Sequence, residues 1–440
     1  MKCLIIAAGK GSRLRQWGIS KPLIPVLGVP LIERTIRSAV EAGVDEFYVV
    51  TGYQGERVRD FLGCLDERLG IPITPLINED WEKENGFSVL KAREYLHEPF
   101  LLLMADHLFD PSIAREMMAH PPDEGEIILA VDEGTRHSLV DMDDVTRIKT
   151  EGGKIRNIGK GLTDFNGFDT GIFLCSLVIF EALERSTEEQ GDTTLSGAVQ
   201  LLAADDRAGS FHTHGRFWID VDDPRALSRA EKALLDRLRS KPHDGPVSRY
   251  LNRPLSVRIS RRLVKYPVTP NQISFFLFLC SMLAAVLFAL GGYPCLFLGG
   301  LLAQFASVID GCDGEVARLK FQGSDYGGWF DAVLDRYGDA FLLFGLTWHA
   351  YSANPSPLNI FVGFLAIIGS FMLSYTADKY DSLMLSRINH GKGFRLGRDL
   401  RLFLIFLGAV LNQVFLTLMV IAAMMHIETI RRLIICRKHG

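Results

Sequence analysis

The sequence predicts two folds in series: an α/β domain over residues 1–240 and an all-α domain of six transmembrane helices over residues 271–440. A basic helix and linker at residues 241–270 join them. Three observations carry this reading. At 440 residues the chain exceeds one ordinary domain. Up to about Lys241 it mixes short apolar runs with charged and turn-forming segments, and beyond about Pro267 long apolar runs dominate. Its first apolar run, "CLIIAA", passes directly into a glycine loop, as the first strand of an α/β sheet does.

In the first half the strand is followed by "GKGSRLRQWGISKPLIPV". A loop of this kind offers backbone N–H groups to phosphate oxygens, and its glycines allow close approach. The dinucleotide fingerprint G-x-G-x-x-G is not met, because counting from Gly9 the third position is Leu14. Arg13 and Lys21 follow the loop as cations, which suits a triphosphate. "PFLLLMADHLF" places Asp106 at the end of an apolar strand, where open α/β sheets bind ligands. "FWIDVDDPRAL" offers Asp220, with Asp222 and Asp223 behind it. Asp223 before Pro224 reads as a helix N-cap with proline in the first turn, so Asp220 is the better metal ligand. In "NEDWEKENGFSVLKARE", Asn85-Gly86 is also simply a good turn.

The run "LIIAAGKGSRL…KPLIPV" resembles the nucleotidyltransferase signature of sugar-nucleotide pyrophosphorylases. That resemblance implies a Rossmann-like nucleotidyltransferase domain in which Asp106 and Asp220 hold Mg²⁺ (or Mn²⁺) against the nucleotide. It further implies Lys21 and Arg13 as catalytic cations and Ala8, Gly9, Gly11 and Ser12 as the nucleotide cradle. Asn85 and Ser88 match the helix start that lies near the substrate in cytidylyltransferases.

The join, "VSRYLNRPLSVRISRRLVKYPVTPNQIS", is basic, with Leu251, Leu255, Ile259 and Leu263 at helical spacing opposite many of the arginines. A helix lying in the headgroup plane has this pattern, and so does an ordinary amphipathic linker helix. The expected spans are then Gln272–Leu290, Tyr293–Ile309, Phe330–Tyr351, Leu358–Ala377, Leu400–Leu411 and Val414–Ile430. Basic residues precede the first span and cluster between the second and third, between the fourth and fifth, and after the sixth. The turns "GGYP", "SANPSP" and "NQ" carry none. A multi-pass cell-membrane protein with both termini and both active sites on the cytoplasmic side satisfies the positive-inside rule.

Between the second and third spans lies "DGCDGEVARLKFQGSDYGGWFDAVLDRYGDA". Asp310, Asp313 and Ala317 fall at i, i+3 and i+7, and Asp331, Asp335 and Asp339 at i, i+4 and i+8, so each set lines one helical face. Facing carboxylates make hard oxygen ligands suited to Mg²⁺ or Mn²⁺, although acids in such a segment are more often a solvated face. The stretch resembles the signature of the CDP-alcohol phosphotransferases, D-x2-D-G-x2-A-R-x8-G-x3-D-x3-D. Asp310, Asp313, Gly314, Ala317, Arg318, Gly327, Asp331 and Asp335 meet it without a departure. The resemblance implies metal ligation by Asp310, Asp313, Asp331 and Asp335, with Asp335 also the base, and packing of Gly314, Ala317 and Arg318 against CMP. Asp339 shares the helical face but lies outside the signature, so most activity is expected to survive its loss. An acceptor phosphate would need cations, and Arg258, Lys379, Arg398 and Arg401 are candidates; positive-inside topology alone would also explain them.

The order of the two modules resembles the family of bifunctional inositol-1-phosphate cytidylyltransferase and di-myo-inositol-phosphate-phosphate synthases, over nearly the full length. Where that family commonly has an extra basic residue between the glycine and arginine, this chain has Gly397-Arg398 directly. The expected small-molecule partners are CTP, inositol-1-phosphate and CDP-inositol, with membrane lipid around the second half and a homodimer allowed. The alternative is a phospholipid-forming transferase using a lipid alcohol or CDP-diacylglycerol. The four signature aspartates, Lys21, Asp106 and Asp220 are all intact, which argues against a non-enzymatic receptor. No nucleic-acid footprint is present, and the net charge of −4 is unevenly distributed. Seven cysteines without a C-x-x-C pair suggest free thiols in a reducing compartment. The apolar run at the N-terminus is too short for a signal peptide core.

Overall fold

The computed structural model describes residues 1–133, 142, 144–239, 247–384 and 397–439. It divides into two compact units, Met1–Ala233 and Leu234–Gly440. The helix Pro224–Arg239 runs across that division.

The first unit is organised by a nine-stranded sheet. From edge to edge its order is Ile73–Ile77, Glu46–Thr51, Lys2–Ala7, Phe100–Met104, Gly167–Cys175, Ile127–Glu133, Ala208–His212, Lys154–Gly159 and Arg147–Glu151. Lys2–Ala7 is central and pairs in parallel with Glu46–Thr51 and Phe100–Met104. Its continuous apolar run follows from burial on both faces. Leu4 joins one core with Leu102 and Phe173, while Cys3 and Ile5 join the other with Leu101 and Leu103. Beyond the strand Phe100–Met104 the chain forms a two-stranded ribbon, in which His107–Phe109 pairs antiparallel with Trp218–Asp220 and His107 lies opposite Asp220.

In the second unit the helix Arg253–Leu263 precedes six longer helical segments among the described residues: Pro270–Leu290, Tyr293–Lys320, Asp325–Ala353, Pro357–Met384, Arg398–Val410 and Val414–His439. Four of them contain stretches long and apolar enough to cross a membrane: Pro270–Leu290, Tyr293–Lys320, Pro357–Ala377 and Val414–Arg437. Of the six spans expected from sequence, these four meet the requirements of length and composition among the described residues. Asp325–Ala353 carries acids in its first half, and Arg398–Val410, at 13 residues, reaches only about 20 Å at 1.5 Å per residue.

The acidic stretch is more helical than the expected span limits allow. The second long helix continues through Asp310 and Asp313 to Lys320 and stops at Phe321, which adopts a left-handed conformation (φ 55°). Ser324 then caps the next helix by accepting from the Gly327 N–H at 3.0 Å. Entry into Pro270–Leu290 is fixed by a reciprocal cap between Thr269 and Gln272, with Pro270 in the first turn.

Along the first long helix, small residues occupy much of the buried face while several large ones point outward. Ser274, Ser281, Ala284 and Ala285 are buried, whereas Phe275, Phe276, Leu279 and Leu283 of the same helix are exposed. Small residues let helices approach closely where lipid, not water, covers the outer face. Gly345 is the sharpest case: a Cβ there would lie 2.5 Å from the Ala285 carbonyl oxygen. Gly345→Val should force the first and third helices apart and cost about 1–3 kcal/mol. Thermal unfolding of the detergent-purified protein should show a lower Tm.

Candidate functional site

A cavity of about 380 Å³ opens at the ends of the central strands of the first unit, lined by Ala8, Gly9, Arg13, Asp106, His107, Asp220 and Asp222 among others. A second, of about 290 Å³, adjoins it and is lined by Gly11, Ser12 and Lys21. The loop glycine matters for two reasons. Gly11 has φ +58°, and a Cβ on it would lie 2.6 Å from the Lys21 Cβ. Lys21 therefore packs directly over the loop, and its ammonium contacts both Asp106 and Asp222.

Electrostatics keep Lys21, Asp106 and His107 of this cluster charged. Burial would lower the Lys21 pKa, but Asp106, Asp220 and Asp222 outweigh it and hold the value well above normal. For Asp106, burial is overcome by Lys21 and His107, which push it far below the usual carboxylate range. Burial also opposes the His107 cation, yet Asp220, Asp106 and Asp169 raise it to about 9. Asp220 goes the other way: burial, reinforced by Asp106 and Asp222 against the pull of His107 and Lys21, lifts it to about 8.

Asp106, His107 and Asp220 bring one ligand atom each within 4.8 Å of one another. His107 Nδ1 lies 2.8 Å from Asp106 Oδ1 and 3.9 Å from Asp220 Oδ1. The latter oxygen is buried without a hydrogen-bond partner. An orphaned carboxylate oxygen beside a second carboxylate fits a divalent cation.

The expected residues fall into place unequally. Lys21, Asp106 and Asp220 converge. Arg13 lines the cavity but pairs with Asp144, with Asp222 at 3.9 Å. Asp223 is the helix cap, accepting from the Ala226 N–H at 2.6 Å. Asn85 and Ser88 line the cavity wall, yet their side chains serve the scaffold. Asn85 Oδ1 accepts from the Leu195 N–H at 2.8 Å, and Ser88 Oγ accepts from Asn78 Nδ2 at 3.1 Å. Sequence reasoning missed His107, Asp144 and the contact of Asp222 with Lys21. Only adjacency to Asp106 marked His107, and nothing local marked Asp144.

In the second unit, Asp310 and Asp313 come from one helix and Asp331, Asp335 and Asp339 from the next. Asp313 Oδ2 accepts from Ser274 Oγ at 2.8 Å, and Asp331 lies against Asp313 and Ser274. Arg398, which opens the fifth helix, enters the acids: it contacts Asp310, Asp335 through Nη1 at 2.7 Å, and Asp339 through Nε at 3.0 Å. Among the described residues these aspartates do not bring three oxygens as close together as the first cluster does. Their hard-oxygen chemistry nonetheless suits a divalent cation.

Asp339 is more deeply placed than its position outside the signature suggested. Its side chain is only 7% exposed and also binds Arg401 Nη2 at 2.8 Å, while Arg401 contacts Ser370. Arg401 is therefore interior. Arg258 is exposed on its helix, and the Lys379 side chain lies outside the described residues. Gly314, Ala317 and Arg318 follow Asp313 on its helix, where a Cβ on Gly314 would lie 3.4 Å from an Arg318 nitrogen.

The ribbon carrying Asp220 is anchored from below. Trp218 Nε1 donates to the buried Asp132 at 2.9 Å, and its ring stacks on His107 with centroids 6.5 Å apart. Trp218→Phe removes that donor and leaves a buried carboxylate oxygen short of a partner. A loss of about 1–3 kcal/mol is expected, measurable as a lower denaturation midpoint of the first unit in the intact protein.

Two family models match this chain, over overlapping stretches. Residues 3–315 match the model of the MobA-like NTP transferase domain, and residues 267–430 match that of CDP-alcohol phosphatidyltransferase. The chain is 37% identical to the bifunctional IPC transferase and DIPP synthase of Rubrobacter xylanophilus, covering 99% of this chain and 96% of that one. It is 33% identical to the protein of the same name from Aquifex aeolicus, over 97% and 96% of the two chains. Among solved structures, the inositol-1-phosphate CTP transferase from T. maritima is 26% identical, with 52% of this chain and 93% of that chain covered and a TM-score of 0.46. On its full-length likeness to the first two, the chain belongs to the family of bifunctional IPC transferases and DIPP synthases.

Proposed function

We propose that this chain makes CDP-inositol from CTP and inositol-1-phosphate, then transfers inositol phosphate from CDP-inositol to a second inositol-1-phosphate and releases CMP. The observation that carries this reading is the presence of both sites, in that order, on a chain matched almost end to end by relatives named for two such activities.

In the first step an oxygen of the inositol phosphate attacks the α-phosphorus of CTP in line, and pyrophosphate leaves. Lys21, Arg13 and the amides of Gly9–Ser12 stabilise the charge that develops on the phosphates. Ala8 and the wall bearing Asn85 and Ser88 border the nucleotide. Asp106 and Asp220 would hold a divalent cation, Mg²⁺ or Mn²⁺, which would supply charge neutralisation on the triphosphate when bound. No covalent intermediate is required, since positioning and electrostatics suffice.

In the second step an acceptor hydroxyl attacks the β-phosphorus of CDP-inositol. Asp335 takes the hydroxyl proton. Asp310, Asp313 and Asp331, with Asp335, are the carboxylates that would hold a divalent cation at this site. Gly314 and Ala317 leave room for CMP beside Arg318. The acceptor's phosphate is met by cations drawn from Arg258, Lys379, Arg398 and Arg401.

For the membrane arrangement, the reading is six crossings with both termini and both sites cytoplasmic, following the distribution of basic residues. The described part of the join, residues 247–270, lies in the headgroup plane on this reading. Asn252, Arg253, Ser256 and Ser260 face inward while Leu251 and Leu255 are exposed, which supports lipid as the cover for the apolar stripe.

A fragment ending at residue 239 should be soluble and form CDP-inositol from CTP and inositol-1-phosphate. A folded fragment that binds nucleotide without turnover would remove the cytidylyltransferase reading. In the full chain, Asp106→Ala should abolish this step and spare transfer from supplied CDP-inositol. Asp313→Asn should do the reverse, lowering transfer by several orders of magnitude, because a charged ligand to the metal is lost. Labelled CTP and product chromatography on membranes distinguish the two outcomes.

A further inference from the structure

Among the aspartates of the acidic stretch in the second unit, Asp339 is the most enclosed, and it has no part in the proposed chemistry. Its two oxygens bind two different arginines: Oδ1 accepts from Arg398 Nε at 3.0 Å, and Oδ2 from Arg401 Nη2 at 2.8 Å. Arg401 is 5% exposed and is held in turn by Ser370 of the fourth helix. The third, fourth and fifth helices thus meet at a buried lock with Asp339 at its centre. Burying a carboxylate between two guanidinium groups is favourable only when the geometry is closely met, so the lock fixes positions more than it adds stability.

Arg398 differs from Arg401 in where it leads. Its Nε stays on Asp339, while Nη1 reaches Asp310 and Asp335, and Nη2 has no hydrogen-bond partner among the described residues. The guanidinium therefore spans from the lock to the carboxylate proposed as the base. An arginine held through Nε presents its Nη1/Nη2 edge, which is the edge suited to bidentate contact with phosphate. Asp310 and Asp335 are carboxylates that would hold a divalent cation in the reading above, and with them so engaged Nη1 would be free while Nε stays on Asp339.

Resting on the two-step reading above, we propose that Asp339 is a positioning residue for acceptor selection. Anchored by Arg401 and Ser370, it holds Arg398 so that the phosphate of the incoming alcohol phosphate is bound beside Asp335. The acceptor of the two-step reading, an alcohol that already bears a phosphate monoester, is the substrate whose binding this contact would serve. Asp339 touches no reacting atom itself. Its effect should appear in acceptor binding, not in donor binding.

The test uses the full-length protein in detergent, supplied with CDP-inositol and inositol-1-phosphate so that the first step is bypassed. Asp339→Asn should raise KM for inositol-1-phosphate at least tenfold and change KM for CDP-inositol less than twofold. Inorganic phosphate, used as a competitive inhibitor against the acceptor, should weaken in parallel. Equal rises in both KM values, or a fall in kcat with both KM values unchanged, would overturn the proposal and make Asp339 a general structural support. If Asp339→Asn does not fold, Arg398→Lys serves instead. It keeps the charge but has no Nε to rest on Asp339, and the same split between acceptor and donor is expected. A wild-type protein that forms no product from these two substrates would instead remove the functional reading on which the proposal rests.

Discussion

Buried carboxylates must be neutralised, and both halves of this chain are arranged around that requirement. In the first unit Lys21 sits between Asp106 and Asp222; in the second, Arg398 sits among Asp310, Asp335 and Asp339. An unpaired charge in such surroundings would cost several kcal/mol. A fixed cation of the protein therefore accompanies the acids that would bind a mobile one. On the proposed reading, the resident cation would turn toward a substrate phosphate as the acids turn toward a metal ion.

The surrounding structure follows from how each unit can hold its acids still. The α/β unit uses backbone pairing, with strand ends and a short ribbon aiming side chains into one cavity. The helical unit uses close approach of helices, since Gly345 and the serines and alanines of the first long helix remove bulk from the contacts. The buried Arg253–Glu315 pair, 2.8 Å apart, ties the basic helix to the helix bearing Asp310 and Asp313. Glu315 lies two residues beyond Asp313, so it grips the far side of that helix while the aspartates face the site.

Much of this could be read in advance because it is local. The glycine loop, the strand ending at Asp106, the cap at Asp223 and the helical periodicity of the aspartates each depend on neighbours within a few residues. What escaped the sequence depends on partners far along the chain. Asp144 meets Arg13 across a fold, Asn85 meets the Leu195 amide, and the significance of Asp339 lies wholly in Arg398 and Arg401. Span counting was limited differently: Asp325–Ala353 is long but acidic, and Arg398–Val410 is apolar but short. Uniform hydropathy therefore passes over two of the three helices that build the second site.

The ribbon pairing His107 with Asp220 has a consequence for repeated turnover. Two ladder strands, not a ligand, bring the nearby carboxylates Asp106 and Asp220 together, so the conformational entropy of assembling them is lost once, during folding. Each catalytic cycle then begins from a formed cradle, with little reorganisation between release of one product and capture of the next substrate. An enzyme whose first product is the second site's substrate benefits directly, because the supply of intermediate is not slowed by rebuilding the site that makes it.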